Sequence, residues 1–265
     1  MVAIGIPDLP LVSGHPVLDL VNTVEPRTSG PPERDHLARP ADLLAWARRA
    51  GVVDDPEADA VAGTWADDPA GADRSLRAAV EIRESAYAVL AAALAAEPHD
   101  ITAIGTGAEG ARPGIAWVDT TPRIGVAGAE EAGGRIDMAW GDGDPRYHVD
   151  RVSGPAARLA GHWSAAVGRA RLDPGTGVPI RVSVGTRADS LVVDRLAYSA
   201  VELLSTVDLR HLRACPIDDG GCGWLFLDRS RNGSRRWCAM GDCGAQAKAR
   251  RLTARRRAAR VSAKD

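Results

Sequence analysis

Cys215, Cys222, Cys238 and Cys243 are the only cysteines of the 265-residue chain. Their spacing is Cys-x6-Cys-x15-Cys-x4-Cys. Thiols gathered this way in a chain with no secretory leader point to metal binding rather than to disulfides. Four soft thiolates in two pairs suit tetrahedral Zn²⁺, and small zinc modules supply them in that arrangement. Few large apolar groups lie nearby: Trp224, Leu225, Phe226, Leu227, Trp237 and Leu252. A structural zinc contributes roughly 10–16 kcal/mol to small metal modules at neutral pH, more than so small a core supplies. Four unrelated buried thiols are the alternative. Four thiolates leave no open position for water or substrate, so the zinc is expected to be structural.

Between the two pairs the pattern predicts a β-hairpin, with WLFLD (224–228), a turn at SRNG (230–233) and a return strand at RRWC (235–238). Gly223 suits a tight knuckle after Cys222. After Cys243 the run GAQAKARRLTARRRAARVSAK is a strong helix former. Cys243 is thus expected at a helix N-terminus, whose dipole favours thiolate. Knuckle, hairpin and helix is the order of a treble-clef-like module.

Charge is divided unevenly. Residues 229–265 hold 12 Lys and Arg against 2 Asp and Glu, and residues 1–228 hold 21 against 33. An acidic body at −12 therefore carries a basic segment at +10, a pattern that suits a polyanion partner. Lys248, Arg251 and Arg255 share one helix face, Arg250 widens it, and Arg229, Arg231, Arg235 and Arg236 form a second cluster on the hairpin. A zinc site with four thiolates carries about −2 and uses some of these cations. The remainder exceeds that need, and Arg is the side chain best shaped for phosphate. Docking of an acidic protein, or a plainly solvated tail, are the other readings.

Before the cysteines the chain reads as mixed α+β. SGHPVLDLVNTV is a short buried element. ADLLAWARRAG (41–51) is an amphipathic helix closed by Gly51, and residues 73–96 form the longest helix, with Leu76, Val80, Arg83, Tyr87, Leu90 and Leu94 at helical spacing. Residues 100–114 read as a loop. GIAWVD (114–119), RIGVAG (123–128) and RIDMAW (135–140) alternate as strands. Next come a helix at 155–172, a break at DPGTG (173–177), a strand at 178–184 and a helix at 189–206. The boundary falls near 206–214, giving a body of residues 1–206 and a finger of residues 207–265.

Composition narrows function further. Lys is scarce beside Ala, Gly, Pro and Arg, the mark of a GC-rich bacterial genome. No signal peptide is visible, and the most apolar helix (86–96) is too short to span a bilayer, so a cytoplasmic protein with no membrane partner is expected. There is no G-x-S-x-G elbow, phosphate-cradling loop or H-E-x-x-H, and the reading is of a non-enzyme. His148, His162 and His211 have no partner at metal spacing. His15, Asp19 and Asn22, with Arg83, are candidates for a small-molecule pocket. Satisfied polar groups near a core, and a salt-bridged helix face for Arg83 and Glu84, are the plainer account. The tryptophans read as core by default.

At these residues the chain resembles a known family. CGWLFLD (222–228), SRN (230–232), RRWC (235–238), Met240, Cys243-Gly244 and KARR (248–251) resemble the CGNR zinc finger. LDLVNT (18–23), DLLAWARRAG (42–51), IRESAYAVLAAAL and SAVELL (199–204) resemble the ABATE domain found ahead of that finger in bacterial stress-induced transcription regulators. The resemblance implies an α+β ABATE domain that senses a small effector, fused to a DNA-binding finger. It makes Cys215, Cys222, Cys238 and Cys243 the zinc ligands and Arg231, Arg235, Arg236, Lys248 and Arg251 contacts to nucleic acid. The motif Cys-Gly-Asn-Arg is here Cys243-Gly244-Ala245-Gln246, so the ligands persist while contacts at the helix start change. Asp218 and Asp219, in the loop between the first two cysteines, place acid beside the expected phosphate surface, which implies weaker DNA affinity. The alternative function is a protein-interaction module whose finger docks an acidic partner. Oligomeric state is left open.

Overall fold

Pro16 sets the first helical φ angle, and the His15 ring caps the helix behind it, its Nδ1 accepting from the Val17 amide at 3.2 Å. The structure, a computed structural model, describes residues 5–27, 32–96 and 145–262. The expected strands at 114–119, 123–128 and 135–140 and the loop at 100–114 lie outside the described residues. The SGHPVLDLVNTV element is helix α1 (Pro16–Val21), buried from Val17 to Val21. Strands β1 (Val24–Glu25) and β2 (Arg34–Asp35) form a short antiparallel pair after it.

Helix α2 (Pro40–Arg49) buries Leu43, Trp46 and Ala47 and ends beside Gly51, as its pattern predicts. Helix α3 (Asp55–Asp67) has no counterpart in the sequence reading. Its signal is a reciprocal cap: the Glu57 amide donates to Asp54 at 2.9 Å and the Asp54 amide donates to Glu57 at 3.0 Å. Asp68 caps the long helix α4 (Pro69–Ala95) through the Gly71 amide at 2.9 Å. Helices α5 (Pro145–Gly168) and α6 (Leu191–Thr206) pack with α4 into the central layer, and α1 lies against α4 and α6. One continuous apolar core runs from Leu9 and Trp46 through Ile82, Leu90 and Leu196 to Phe226 and Trp237 in the finger.

Two elements differ from expectation. The helix expected at 155–172 spans residues 145–168, with Pro155 inside it. Residues 171–174, expected as helix end and break, form β3 (Arg171–Pro174), which pairs with β4 (Ile180–Ser183). Leu172 faces Val182 and Pro174 faces Ile180, so apolar residues recur at period two on both strands of the pair. Trp46 and Trp65 are buried, whereas Trp163 is exposed.

The candidate pocket residues make separate sets of contacts. Asp19 accepts from the Ser13 amide at 3.1 Å; burial raises its pKa, and the hydrogen bonds from Ser13 oppose the rise. Arg83 is 3% exposed and bonds Asp35 at 2.7 Å, Glu84 at 2.6 Å and the Thr23 hydroxyl at 3.1 Å. Arg27 completes the network, 2.7 Å from Glu84 and 4.6 Å from the Tyr87 ring centre. This is the salt-bridged helix face, the plainer account of Arg83: most of its donors bond neighbours. Burial opposes ionisation of Asp35 and Glu84, but the guanidinium groups win and hold both carboxyls below their ordinary range.

A carboxyl with a depressed folded pKa contributes stability above its unfolded value of about 4, lost as pH falls through the folded value. Arg83→Met should therefore lower unfolding stability at neutral pH by about 3 kcal/mol, the low end for removing one partner of a buried pair because the carboxylates are half exposed. Denaturant titration of both proteins should show the difference shrinking below about pH 4.

Candidate metal centre and nucleic-acid interface

The finger begins with β5 (Leu212–Ala214), which pairs antiparallel with β6 (Leu225–Leu227), Leu212 facing Leu227 and Ala214 facing Leu225. The hairpin therefore encloses the first cysteine pair. This corrects the expected pairing of 224–228 with 235–238. The chain reverses between Cys215 and Cys222, with the Cys215 amide donating to Trp224 at 2.8 Å and the Gly223 amide donating to Cys215 at 3.2 Å. Gly223 turns the knuckle with φ +77°, a conformation that suits glycine. After β6 the chain enters a turn built on Asp228, which accepts from the Ser230 amide at 2.9 Å, the Ser230 hydroxyl at 2.6 Å and the Arg235 amide at 2.8 Å. Those bonds satisfy the backbone that a return strand would otherwise have used.

Cys238 comes directly after the buried Trp237, and Cys243 sits in a π-helical turn (Met240–Gly244) that leads into helix α7 (Ala245–Ser262). The four sulfurs lie within 4.8 Å of one another. Cys222 and Cys238 are 3.4 Å apart, and Cys238 and Cys243 are 3.6 Å apart. Tetrahedral bonds of about 2.3 Å require sulfur–sulfur edges of about 3.8 Å. No disulfide is formed by any of the four. Without a cation such a cluster cannot ionise fully: the hydrogen bonds among the four lower the pKa of Cys215 and raise those of Cys222 and Cys238. A divalent ion resolves that conflict, and the donor set, closed and all sulfur, fits structural zinc.

The finger is bound to the body through backbone atoms. Asn22 donates to the Leu225 carbonyl at 2.8 Å and accepts from the Leu225 amide at 2.9 Å. The Trp224 indole donates to Val24 at 3.0 Å, the Arg27 amide to Cys222 at 2.9 Å and the Leu227 amide to Ser13 at 2.8 Å. Asn22, a candidate pocket residue, is thus a two-way clamp on β6. Of the candidate pocket residues, His15 lines a cleft, with Glu202, Leu203, Arg229 and neighbours.

The predicted nucleic-acid residues divide into four groups. Arg235 is committed inside the finger, which corrects its assignment to phosphate. It lies 4.5 Å from the Phe226 ring centre and donates to Trp237 at 3.1 Å, to Val12 at 3.0 Å and to the Cys238 carbonyl. Arg236 and Arg251 both reach Asp219, Arg251 at 3.5 Å, and Arg236 also lies 5.5 Å from the Trp237 ring centre. Arg231, Lys248, Arg250 and Arg255, joined by Arg256, are exposed and form no ion pair among the described residues. Arg229 stands apart, in the cleft beside His15. Ala245 and Gln246, in place of Asn and Arg, open the exposed first turn of α7.

Purified protein should carry one zinc per chain by mass spectrometry of the native state, and Cys238→Ser should lose it. A Cβ on Gly221 would stand 2.6 Å from the Cys215 sulfur and 2.7 Å from the Pro216 carbonyl. Gly221→Ala should therefore release zinc to a chelator at least about tenfold faster, since the crowded atoms are a metal ligand and backbone.

Comparison with family models gives two matches. Residues 211–256 match the CGNR zinc finger, and residues 14–207 match ABATE, described as "Putative stress-induced transcription regulator". No curated protein matches the chain. Among the described residues no helix is long and apolar enough to cross a membrane. The ABATE match spans well over half of the 265 residues, and the chain belongs to the ABATE family, with a CGNR zinc finger at its C-terminal end.

Proposed function

We propose that the chain is a transcription regulator that binds duplex DNA through its zinc finger, and that the ABATE body, residues 1–206, senses a small effector and alters how the finger is presented. The observation that carries the reading is the set of exposed cations without carboxylate partners among the described residues: Arg231, Lys248, Arg250, Arg255 and Arg256. They sit on a finger whose sulfur cluster holds the start of α7. Arg presents a planar fork to phosphate oxygens, and unpaired Arg on an anchored helix needs no rearrangement to meet them. The family's regulatory description agrees with this role. Zinc acts only by holding α7 against the knuckle; the cations do the binding.

Five phosphate contacts predict that log K falls with log salt at a slope of about −4.5. Fluorescence anisotropy with labelled duplex DNA from low to moderate salt measures it. A slope near zero, or equally tight binding of poly-glutamate, would replace DNA with an acidic protein as partner. Asp219 competes with phosphate for Arg236 and Arg251. Asp219→Asn should strengthen DNA binding by about 3- to 10-fold at low salt and steepen the slope by about 1–2. Unchanged affinity in a variant that retains zinc would show that the two arginines face away from DNA.

A further inference from the structure

A cleft of about 550 Å³ opens along the seam between body and finger. Its body wall is the capping turn at His15 and the end of α6; its finger wall is Leu227, at the end of β6, the turn that follows it through Ser230, and Asp208 and His211 ahead of β5. That volume lies within the ordinary range for small-ligand sites. The charges facing it are of two kinds. Asp208 is committed to Arg210 at 2.8 Å, and Asp228 to Ser230 and the Arg235 amide. Glu202, on the body wall, and Arg229, on the finger wall, form no side-chain hydrogen bond or ion pair among the described residues. They are opposite in sign, and they have not paired with each other.

His15 stands near both. Its pKa is lowered by burial, with Glu202 raising it and Arg229 lowering it. Because Nδ1 accepts from the Val17 amide, the proton of the neutral ring sits on Nε2 and is available as a donor. The Arg229 guanidinium lies beside Gly14, the residue before His15. Leu203, Val207 and Leu227 supply apolar surface in the same cleft.

We propose that this cleft binds a small zwitterion of the α-amino-acid type with an apolar side chain. The carboxylate is held by Arg229 and His15, the ammonium by Glu202, and the side chain rests on Leu203, Val207 and Leu227. A ligand of one charge leaves Glu202 or Arg229 unpaired, and a wholly apolar one leaves both. The proposal rests on the reading of the body as an effector sensor and gives that effector a site and a chemistry. Since both walls contribute a charged group, the ligand ties finger to body.

Isothermal titration calorimetry of the full zinc-loaded chain, without DNA, tests the site independently of DNA binding. The probes are the standard L-amino acids at up to about 10 mM, a range that reaches millimolar affinities. For leucine, the one-charge analogues are 4-methylpentanoate and isoamylamine. At least one apolar amino acid should bind, and Glu202→Gln and Arg229→Gln should each weaken it about tenfold or more, the loss expected for a charge-assisted hydrogen bond. Both residues are exposed, so unchanged melting temperatures will show that both variants fold. Binding by no amino acid, undiminished binding in both variants, or equal binding of a one-charge analogue would each overturn the proposal. If an amino acid binds as described while DNA does not bind at all, the site stands and the DNA reading falls.

Discussion

Four sulfurs within one coordination sphere cannot be tolerated as free thiolates, because like charges at 3.4–3.6 Å repel strongly in a partly buried site. As protonated thiols they would give only weak hydrogen bonds. The divalent ion is what makes the arrangement favourable, at roughly 10–16 kcal/mol for modules of this size. The finger is organised around that condition. The hairpin delivers two sulfurs, the buried Trp237 positions the third, and a π-helical turn brings the fourth to the start of α7. From Lys248 to Thr253 every residue of the helix is exposed, so packing does not guide that stretch.

The metal does not act alone. Trp224, Leu225 and Phe226 are buried in the same core as α1 and α6, and backbone groups of Ser13, Val24 and Arg27, with the side chain of Asn22, hold the hairpin against the body. The finger is thus less coreless than its own composition implies: its apolar residues are completed by the body's. The Arg27–Cys222 contact joins the body to the knuckle one residue from the turn at Gly223.

The metal ligands were legible because chemistry restricts them to one residue type at close spacing. Helices α2, α4 and α6 were legible from apolar periodicity. The strand partner of 225–227 was not. Alternation identifies a strand but says nothing of which strand it pairs with, and the turn residues at 230–233 suggested the wrong neighbour. Asp228 takes the amides on either side of that turn, at Ser230 and Arg235, a role visible only once its side chain is placed. Helix α3 went unread although Asp54 and Glu57 form its capping box, because its apolar stripe is sparse. Asn22 was read as a pocket residue for a related reason: its partner, Leu225, is 203 positions away. Arg235 looked like one cation among many, and only the position of the Phe226 ring and three carbonyls distinguishes it.

The clamp at Asn22 also predicts how the two sides of the seam tolerate sequence drift. Its amide reads the carbonyl and amide of residue 225, which every amino acid but proline presents alike. The Arg27 amide and the Cys222 carbonyl likewise meet main chain to main chain. Side chains on the finger's strand can therefore vary, within the volume of the core, without unfastening it. Position 22 has no such freedom, since only a side-chain amide of that length gives and takes in one plane. A grafted finger of different origin would still find its dock, provided the asparagine waits for it.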